Sequence, residues 1–431
     1  MHSGAEQNQG RDTQSVSWLR RLGPGLVTGA SDDDPSGIAT YSKAGAEFQF
    51  GLLWTILFTL PLMAAIQEIC ARLGRITGRG LAGNLRQHYP AAVLYPIVLL
   101  LVAANIFNLG ADLGAMGDAV ALLAGGSSAL YAVLFAVLCV LLEVFACYEK
   151  YANYLKLLTL VLFCYVLTAL VVEIPWTTVL LATIVPSFSL DPKYLAMLVA
   201  VFGTTISPYL FFWQASQETA EIKTHDDQSA LMKEPSQARE QFARIRLDTY
   251  TGMFLSNLIA YFIMLVAAAT LHAHGKDVDT AADAAAALEP LAGRFAFALF
   301  TLGIVGTGLL AVPVLAGSAA YAVGEMLRWP TGLHRKPDRA KRFYGVLAVA
   351  TLLGLALNNW MGLDPIKALF WSAVLNGVVA VPLMVVIMLM IANPQVVGKF
   401  AGISKPLRWM GWLATLVMGL AVVGLFATWN P

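Results

Sequence analysis

Long apolar stretches dominate this chain and recur along almost its whole length. A helix needs about 20 predominantly apolar residues to cross a bilayer, and eleven stretches meet that requirement. The predicted spans are 21–45, 50–71, 92–123, 128–147, 154–173, 194–217, 247–271, 293–321, 343–358, 366–391 and 407–428. The pattern therefore predicts an all-α polytopic membrane protein with eleven transmembrane helices.

The first and sixth predicted helices are interrupted by polar residues near the middle of the membrane. Ser31–Gly37 holds three aspartates, a proline and a glycine, and Gly203–Pro208 holds three hydroxyl residues between a glycine and a proline. Proline removes a backbone donor and glycine tolerates most backbone angles, so both runs favour a broken helix. An ionised acid at a membrane-helix centre costs roughly 3 kcal/mol. The aspartates therefore predict a cavity between the two breaks that holds a cation.

The two breaks occupy corresponding positions in two halves of five helices each. Interrupted helices at matching positions are typical of inverted-repeat secondary transporters, whose substrate site lies where the breaks meet. This pattern predicts a 5+5 inverted repeat. The predicted units are a cytoplasmic tail 1–19, a first repeat 20–175, a second repeat 190–392 and a final helix 405–431.

Composition and charge narrow the functional class. Of 431 residues, 58% are hydrophobic and 13% are charged, against about 25% charged in soluble proteins. Most Lys and Arg residues fall in alternate loops on the side of the N-terminus, which predicts a cytoplasmic N-terminus and an external C-terminus. A bacterial-type inner membrane is the expected location, with the lipid bilayer as partner and a monomer as the expected state. No phosphate loop, zinc-protease motif, catalytic triad or nucleic-acid-binding pattern occurs, so we expect neither an enzyme nor a nucleic-acid-binding protein.

Two of the predicted loops are assigned from their composition. The loop 218–246 mixes both charge signs and is predicted to be a solvated cytoplasmic linker without chemistry. The loop 272–292 contains His272 and His274 in an alanine-rich context and is predicted to be a solvated external face.

Several short motifs resemble those of a known transporter family. They are Gly23-Pro24-Gly25, Asp34-Pro35-Ser36-Gly37, Leu52-Leu53-Trp54, Gln67, Ala71-Arg72-Leu73-Gly74 and Thr77-Gly78-Arg79. Together with the eleven spans they resemble the NRAMP family of proton-coupled divalent-metal transporters, and most closely its magnesium-transporter branch. The resemblance implies a LeuT-like fold and import of a divalent cation, with no cofactor beyond the transported Mg²⁺ or Mn²⁺.

The resemblance also assigns positions within the two breaks. Asp34 falls on the metal-binding aspartate of the family, while Gly37 occupies the position of the ligand asparagine. The family's span 6 motif is Met-Pro-His, and this chain has Ser207–Tyr209 there. Asp112 falls on the span 3 acid linked to proton release, but Ala115 replaces the glutamate three residues later.

These departures change the expected substrate and coupling. A thioether ligand favours late transition metals, and Ser207 removes it. Asp32 and Asp33 add hard, negative oxygen ligands beside Asp34, which suits a partly hydrated Mg²⁺ and also accepts Mn²⁺. Tyr209 takes the position of the family histidine, and a tyrosine hydroxyl has a reference pKa of about 10. A group of this kind does not readily exchange its proton at neutral pH, so we expect no proton coupling. A divalent cation gains about 4.6 kcal/mol per 100 mV of membrane potential, which is enough to drive uptake.

The candidate site residues follow from both arguments. We expect Asp34 to bind the cation with Asp32 or Asp33, Thr204 through its carbonyl, Ser207, Gly37 and Asn376, and we assign Asp112 and Tyr209 to an ion or proton pathway. For Thr204 and Ser207 the alternative is that their hydroxyls satisfy freed backbone groups. The alternative functions are a transporter of an organic cation or amino acid, walled by Tyr209, Phe211 and Trp213, a channel, or a protein of this type that has lost transport.

Overall fold

The computed structural model describes residues 24–145, 159–224, 228–362, 364–402 and 404–428, and all regular secondary structure within these ranges is helical. The predicted tail 1–19 and the start of the predicted fifth span lie outside the described residues. The helices before the second break are α1 Pro24–Asp32, α2 Pro35–Phe48, α3 Leu53–Thr77, α4 Leu81–His88, α5 Ala91–Ala124, α6 Ser128–Phe145, α7 Phe163–Val171, α8 Trp176–Ile184 and α9 Pro192–Thr205. Those that follow are α10 Pro208–Thr224, α11 Ala238–Thr270, α12 Ala281–Ala286, α13 Glu289–Ala292, α14 Ala296–Met326, α15 Lys341–Met361, α16 Pro365–Ala392, α17 Pro394–Val397 and α18 Lys405–Thr428.

Nine helical segments within the described ranges are long and apolar enough to cross a membrane, with α9 and α10 counted as one segment. The predicted first span corresponds to the pair α1 and α2. The predicted fifth span is described only for its second part, where Leu160–Val171 forms a shorter apolar helix. An all-α polytopic membrane protein is therefore confirmed, while the count of eleven helices stays a prediction.

Both predicted helix interruptions are confirmed. In the first, α1 ends at Asp32 and α2 begins at Pro35. Asp34 caps α2, because its extended backbone precedes the helix and its carboxylate accepts the Gly37 N–H. An acidic N-cap followed by proline is a strong local signal for a new helix. In the second, α9 ends at Thr205 and α10 begins at Pro208.

The first broken helix lies along α11 with a nearly constant offset in sequence. Gly25 meets the backbone at Asp248, Gly29 meets the backbone of Gly252, and Gly45 lies against a later turn of α11. The Gly25 N–H donates to Asp248 Oδ2 at 2.7 Å, across 223 residues of chain. Because these glycines have no side chain, the two helices pack backbone against backbone. The same register brings the end of α1 beside the middle of α11.

The second broken helix packs in a similar way on α16. Gly203, one turn before the end of α9, lies against the backbone of Ala373 and Gly377, and Gly377 in turn contacts Val199. The close approach leaves no room for a side chain at either glycine. It places Asn376 of α16 next to the second break.

The prediction of a solvated linker at 218–246 was wrong. Helix α10 continues to Thr224 and α11 already begins at Ala238. Glu218 is fully buried and pairs with Arg244 at 2.6 Å, and Arg244 also contacts Glu221 at 2.9 Å. The guanidinium offsets the cost of burying the carboxylate, so charged residues from this segment join α10 to α11.

The prediction of a solvated face at 272–292 was also wrong for its apolar residues. Val278, Ala284 and Ala285 are fully buried. His272 lies with its Nδ1 2.7 Å from the Ala46 carbonyl oxygen at the end of α2. Small alanine side chains allow this segment to pack against the ends of the long helices instead of facing water.

Candidate functional site

Asp34 lies at the centre of the candidate site, where three helices converge. Its carboxylate is almost completely buried. Oδ1 accepts the Ser36 hydroxyl at 2.6 Å and the Gly37 N–H at 2.9 Å. Oδ2 lies 3.4 Å from Asn108 Nδ2 on α5 and 3.3 Å from the Tyr209 hydroxyl on α10. One carboxylate therefore connects α2, α5 and α10 inside the molecule.

Tyr209 connects the two helix breaks directly. Its hydroxyl donates to the Ser31 carbonyl oxygen at 2.8 Å, in the last turn of α1. The Tyr209 carbonyl oxygen accepts the Ser318 hydroxyl of α14 at 2.9 Å. The side chain thus satisfies a backbone group freed by the first break from a position just after the second.

Asp32 and Asp33 lie against α11. The Ser256 hydroxyl is 2.8 Å from Asp32 Oδ2 and 3.0 Å from Asp33 Oδ1. The exposed fractions of Asp32 and Asp33 are 1% and 5%. Sequence reasoning left open which of the two faces the site, and the structure brings both to the same serine.

Thr204 and Gly37 are neighbours across the two breaks. A Cβ added at Gly37 would lie 3.2 Å from Thr204 Oγ1, so the two breaks approach each other closely at this glycine. The Ser207 hydroxyl donates to the carbonyl oxygens of Thr204 and Gly203, at 2.8 and 3.0 Å. These bonds match the backbone-satisfying role that was the alternative for Ser207.

Asn376 and Asp112 complete the predicted set from neighbouring helices. Asn376 is buried on α16, next in sequence to Gly377, which contacts Gly203, and its Nδ2 has no hydrogen-bond partner among the described residues. Asp112 is fully buried in α5, and within the described ranges neither carboxylate oxygen has a hydrogen-bond partner. It lies one helical turn beyond Asn108, on the same face of α5 that reaches Asp34.

Ser256 and Asn108 were missing from the candidate ligands. Each is an isolated polar residue in an otherwise apolar helix, which is a weak signal that many helix-packing residues share. Their contacts with the aspartates join residues at least 74 positions apart in sequence. The sequence alone cannot reveal pairings over such distances.

The groups that contact Asp34 offer hydroxyl oxygens, which can bind a cation, and N–H groups, which can only donate hydrogen bonds. Within the described part of the chain, no group of three or more His, Cys, Asp or Glu side chains could hold a metal ion. The three consecutive aspartates therefore do not form one carboxylate cage. A cation at Asp34 would complete its shell with backbone carbonyls, side-chain oxygens and water, as hard cations commonly do.

Two helices broken at facing positions, with a buried carboxylate between them, define a membrane transporter with the LeuT-like fold. The structure of Mhp1, a nucleobase-cation-symport-1 family transporter, superposes with a TM-score of 0.62 at 16% identity, over 95% of this chain and 90% of that one. The structure of MhsT in complex with L-phenylalanine gives 0.61 at 13% identity, over 94% and 98%. These similarities confirm the predicted fold.

The family follows from sequence. The family model described as natural resistance-associated macrophage protein-like matches residues 25–428, and the chain belongs to this Nramp family. A protein of Burkholderia ambifaria named divalent metal cation transporter MntH is 24% identical over 98% of this chain and 92% of its own length. The Eremococcus coleocola manganese transporter has a similar structure, with a TM-score of 0.75 at 18% identity over 97% of this chain and 90% of that one. Family membership confirms the predicted resemblance to the NRAMP family and the expectation of a transporter rather than an enzyme, while the placement in the magnesium-transporter branch stays a prediction.

Proposed function

We propose that this chain imports a divalent cation, Mg²⁺ or Mn²⁺, across the inner membrane by alternating access. The observation that carries the proposal is the buried carboxylate of Asp34 between two broken helices. The family and the names of its similar relatives support a metal ion as substrate. In this proposal Asp34 binds the cation, with Thr204, Asn376 and backbone carbonyls as further ligands.

The chemistry of the donors favours a hard cation. Two of the four groups that donate hydrogen bonds to Asp34 are the Ser36 and Tyr209 hydroxyls, whose oxygens can also bind a cation, whereas the Gly37 N–H and the Asn108 amide nitrogen cannot. Ser207 places an oxygen where the family motif has a thioether. Mg²⁺ and Mn²⁺ accept carboxylate, carbonyl and water ligands, while soft metals gain less from such a set.

The driving force in this proposal is the membrane potential rather than a proton gradient. Tyr209 stands in place of the family histidine and donates to a backbone carbonyl. Inward movement of a divalent cation down an inside-negative membrane potential gains about 4.6 kcal/mol per 100 mV. We expect import without acidification.

An organic cation or amino acid is the less favoured substrate. In that hypothesis Phe211 and Trp213 would wall an organic body. Trp213 instead packs against α14, with its ring 6.2 Å from that of Tyr321 in an edge-on arrangement and its edge against Gly317. This contact holds the indole in the protein interior, so it supports the cation hypothesis.

The test is uptake into proteoliposomes that contain the purified full-length protein. Mg²⁺, Mn²⁺ and Ca²⁺ are offered separately while an internal dye reports pH. Asp34→Asn removes the charge but keeps the shape, so we expect uptake to fall to the level of empty vesicles. Asp338→Asn, at an exposed position, is the matched control and should retain wild-type uptake. Wild-type uptake by Asp34→Asn would contradict the proposal, and internal acidification would contradict its uncoupled mechanism.

A further inference from the structure

We propose that Asp32, Asp33 and Ser256 form a second cation subsite between the first helix break and α11, separate from the Asp34 site. The inference rests on the proposed function, since it adds a second ion to the same transport cycle. The subsite would bind a small hard cation through oxygen atoms. This cation is either a second copy of the transported divalent ion or Na⁺.

The hydrogen bonds at Ser256 leave the two carboxylates under-satisfied. A serine hydroxyl has one proton, so Ser256 can donate to Asp32 or to Asp33 but not to both at once. The second oxygen of Asp32, Oδ1, is buried and has no hydrogen-bond partner among the described residues. A buried carboxylate without a partner is costly, and a bound cation removes that cost.

No lysine or arginine among the described residues neutralises this pair. Among the ion pairs of the described residues, which involve lysines and arginines near the helix ends, none includes Asp32 or Asp33. Helix α1 ends at Asp32, so the negative end of its dipole points to the same place. Half-helix C-termini and their freed carbonyls are a recurrent way of binding coupling cations in transporters with broken helices.

The pair is spatially distinct from the Asp34 site. Asp34 is held by Ser36, Gly37 and Asn108 on the side of α2 and α5. Asp32 and Asp33 instead meet at α11. Because the three acids do not converge on one metal position, one ion cannot satisfy all of them.

Occupancy of this subsite would act on the Asp34 site through the backbone. Asp33 and Asp34 are adjacent residues in the non-helical link between α1 and α2. A cation that fixes Asp33 against Ser256 also fixes the position from which Asp34 enters α2. The two ions are therefore coupled, and each changes the affinity for the other by the same factor.

The experiment counts bound Mn²⁺ per chain on the purified full-length protein, with equilibrium dialysis and electron paramagnetic resonance of free Mn²⁺, in the presence and absence of Na⁺. The variants are Ser256→Ala, the isosteric Asp33→Asn, Asp34→Asn and the conservative Ser256→Thr. Ser372→Ala is the matched control, because Ser372 is a buried helix serine that donates only to its own helix at Leu369. Thermal unfolding verifies that each variant is folded, and Asp33→Asn replaces Ser256→Ala if the latter is not.

Two results support the subsite and distinguish its occupant. If the occupant is divalent, the wild type binds two Mn²⁺ per chain, while Ser256→Ala, Asp33→Asn and Asp34→Asn each bind one. If it is Na⁺, the wild type binds one Mn²⁺ with a dissociation constant that Na⁺ shifts by about fivefold or more, and Ser256→Ala abolishes the shift. Ser256→Thr keeps the hydroxyl and restores the wild-type result in either case.

The inference would be overturned if the wild type binds one Mn²⁺ per chain, Na⁺ has no effect and Ser256→Ala behaves like Ser372→Ala. Asp32 and Asp33 would then form a structural contact that shares a proton. Failure of the proposed function gives a different result. In that case the wild type binds no Mn²⁺ and Asp34→Asn changes nothing, while a rise of the unfolding temperature with Na⁺ that Ser256→Ala abolishes would still support the subsite.

Discussion

Tyr209 determines how Asp34 can respond to protons. Its hydroxyl lies 2.8 Å from the Ser31 carbonyl oxygen and 3.3 Å from Asp34 Oδ2. The shorter distance indicates that the hydroxyl proton goes to the carbonyl. A phenol in this position holds its proton at neutral pH. An imidazole in the same place would change its charge within the physiological range.

We therefore expect Tyr209→His to make cation binding depend on pH. An unperturbed imidazole has a pKa of about 6.5, and its protonated form beside Asp34 repels a divalent cation. Mn²⁺ affinity should then fall as the pH drops below about 6.5, relative to Tyr209→Phe, which introduces no titrating group. The measurement is the Mn²⁺ dissociation constant from pH 5 to 8. Parallel pH profiles for the two variants would contradict the argument.

At the residue scale, sequence reasoning identified the buried acids but not their partners. Asp34 could be placed because proline and glycine beside it break the helix locally. Ser256 and Asn108 could not, because no local pattern links them to residues at the first break. The roles of Ser207 and Asn376 remain predictions, although the hydroxyl of Ser207 is engaged by its own helix.

At the element scale, glycines control how the first broken helix packs. Gly25 and Gly29 let α1 lie directly on α11, and the Gly25 N–H bonds to the buried Asp248 carboxylate. This packing carries the end of α1 to Ser256. A side chain on this face would push the helices apart and move Asp32 and Asp33 away from the serine.

Gly29→Ala tests this packing. The added methyl group would overlap the backbone of Gly252, and backbone cannot give way as a side-chain end can. We expect the free energy of unfolding to fall by about 1–3 kcal/mol. The measurement is unfolding in detergent, monitored by tryptophan fluorescence. Gly345→Ala is the control, because nothing lies within 4 Å of the added Cβ and helix propensity favours alanine by about 0.5–1 kcal/mol. Equal effects of the two substitutions would show that α1 can shift freely on α11.

Helix boundaries could be predicted from the sequence where the residues that cause them are close together in the chain. Both helix breaks follow from proline and glycine within a few residues. The segment 218–246 was misassigned because its structure depends on the pairing of Glu218 with Arg244, 26 residues apart. Mixed charge usually indicates solvated chain, and only the tertiary structure shows that these charges neutralise each other inside the protein.

At the scale of the whole molecule, charged side chains make contacts on both sides of the buried Asp34. On one side Arg244 joins α10 to α11 through Glu218 and Glu221. On the other, Lys43 of α2 pairs with Glu47 at 2.8 Å and donates to the Val278 carbonyl oxygen at 3.2 Å. In the alternating-access cycle proposed above, these two sets of contacts would have to break in turn.

The distance in sequence between the aspartates and their partners has a consequence for biosynthesis. Tyr209 lies 178 residues after Ser31, and Ser256 lies 224 residues after Asp32. At about 5–20 residues per second, the ribosome needs roughly ten to forty seconds to synthesise the chain between the aspartates and these partners. During this time the acids of the first span have no hydrogen bonds from Tyr209 or Ser256. We therefore expect the span to stay at the translocon until the later helices have been made. A chain truncated before Pro192 should insert this span poorly in a glycosylation-mapping assay, and Asp32→Ala with Asp33→Ala should restore insertion. Full insertion of the truncated wild-type segment would show that the acids enter the bilayer without those partners.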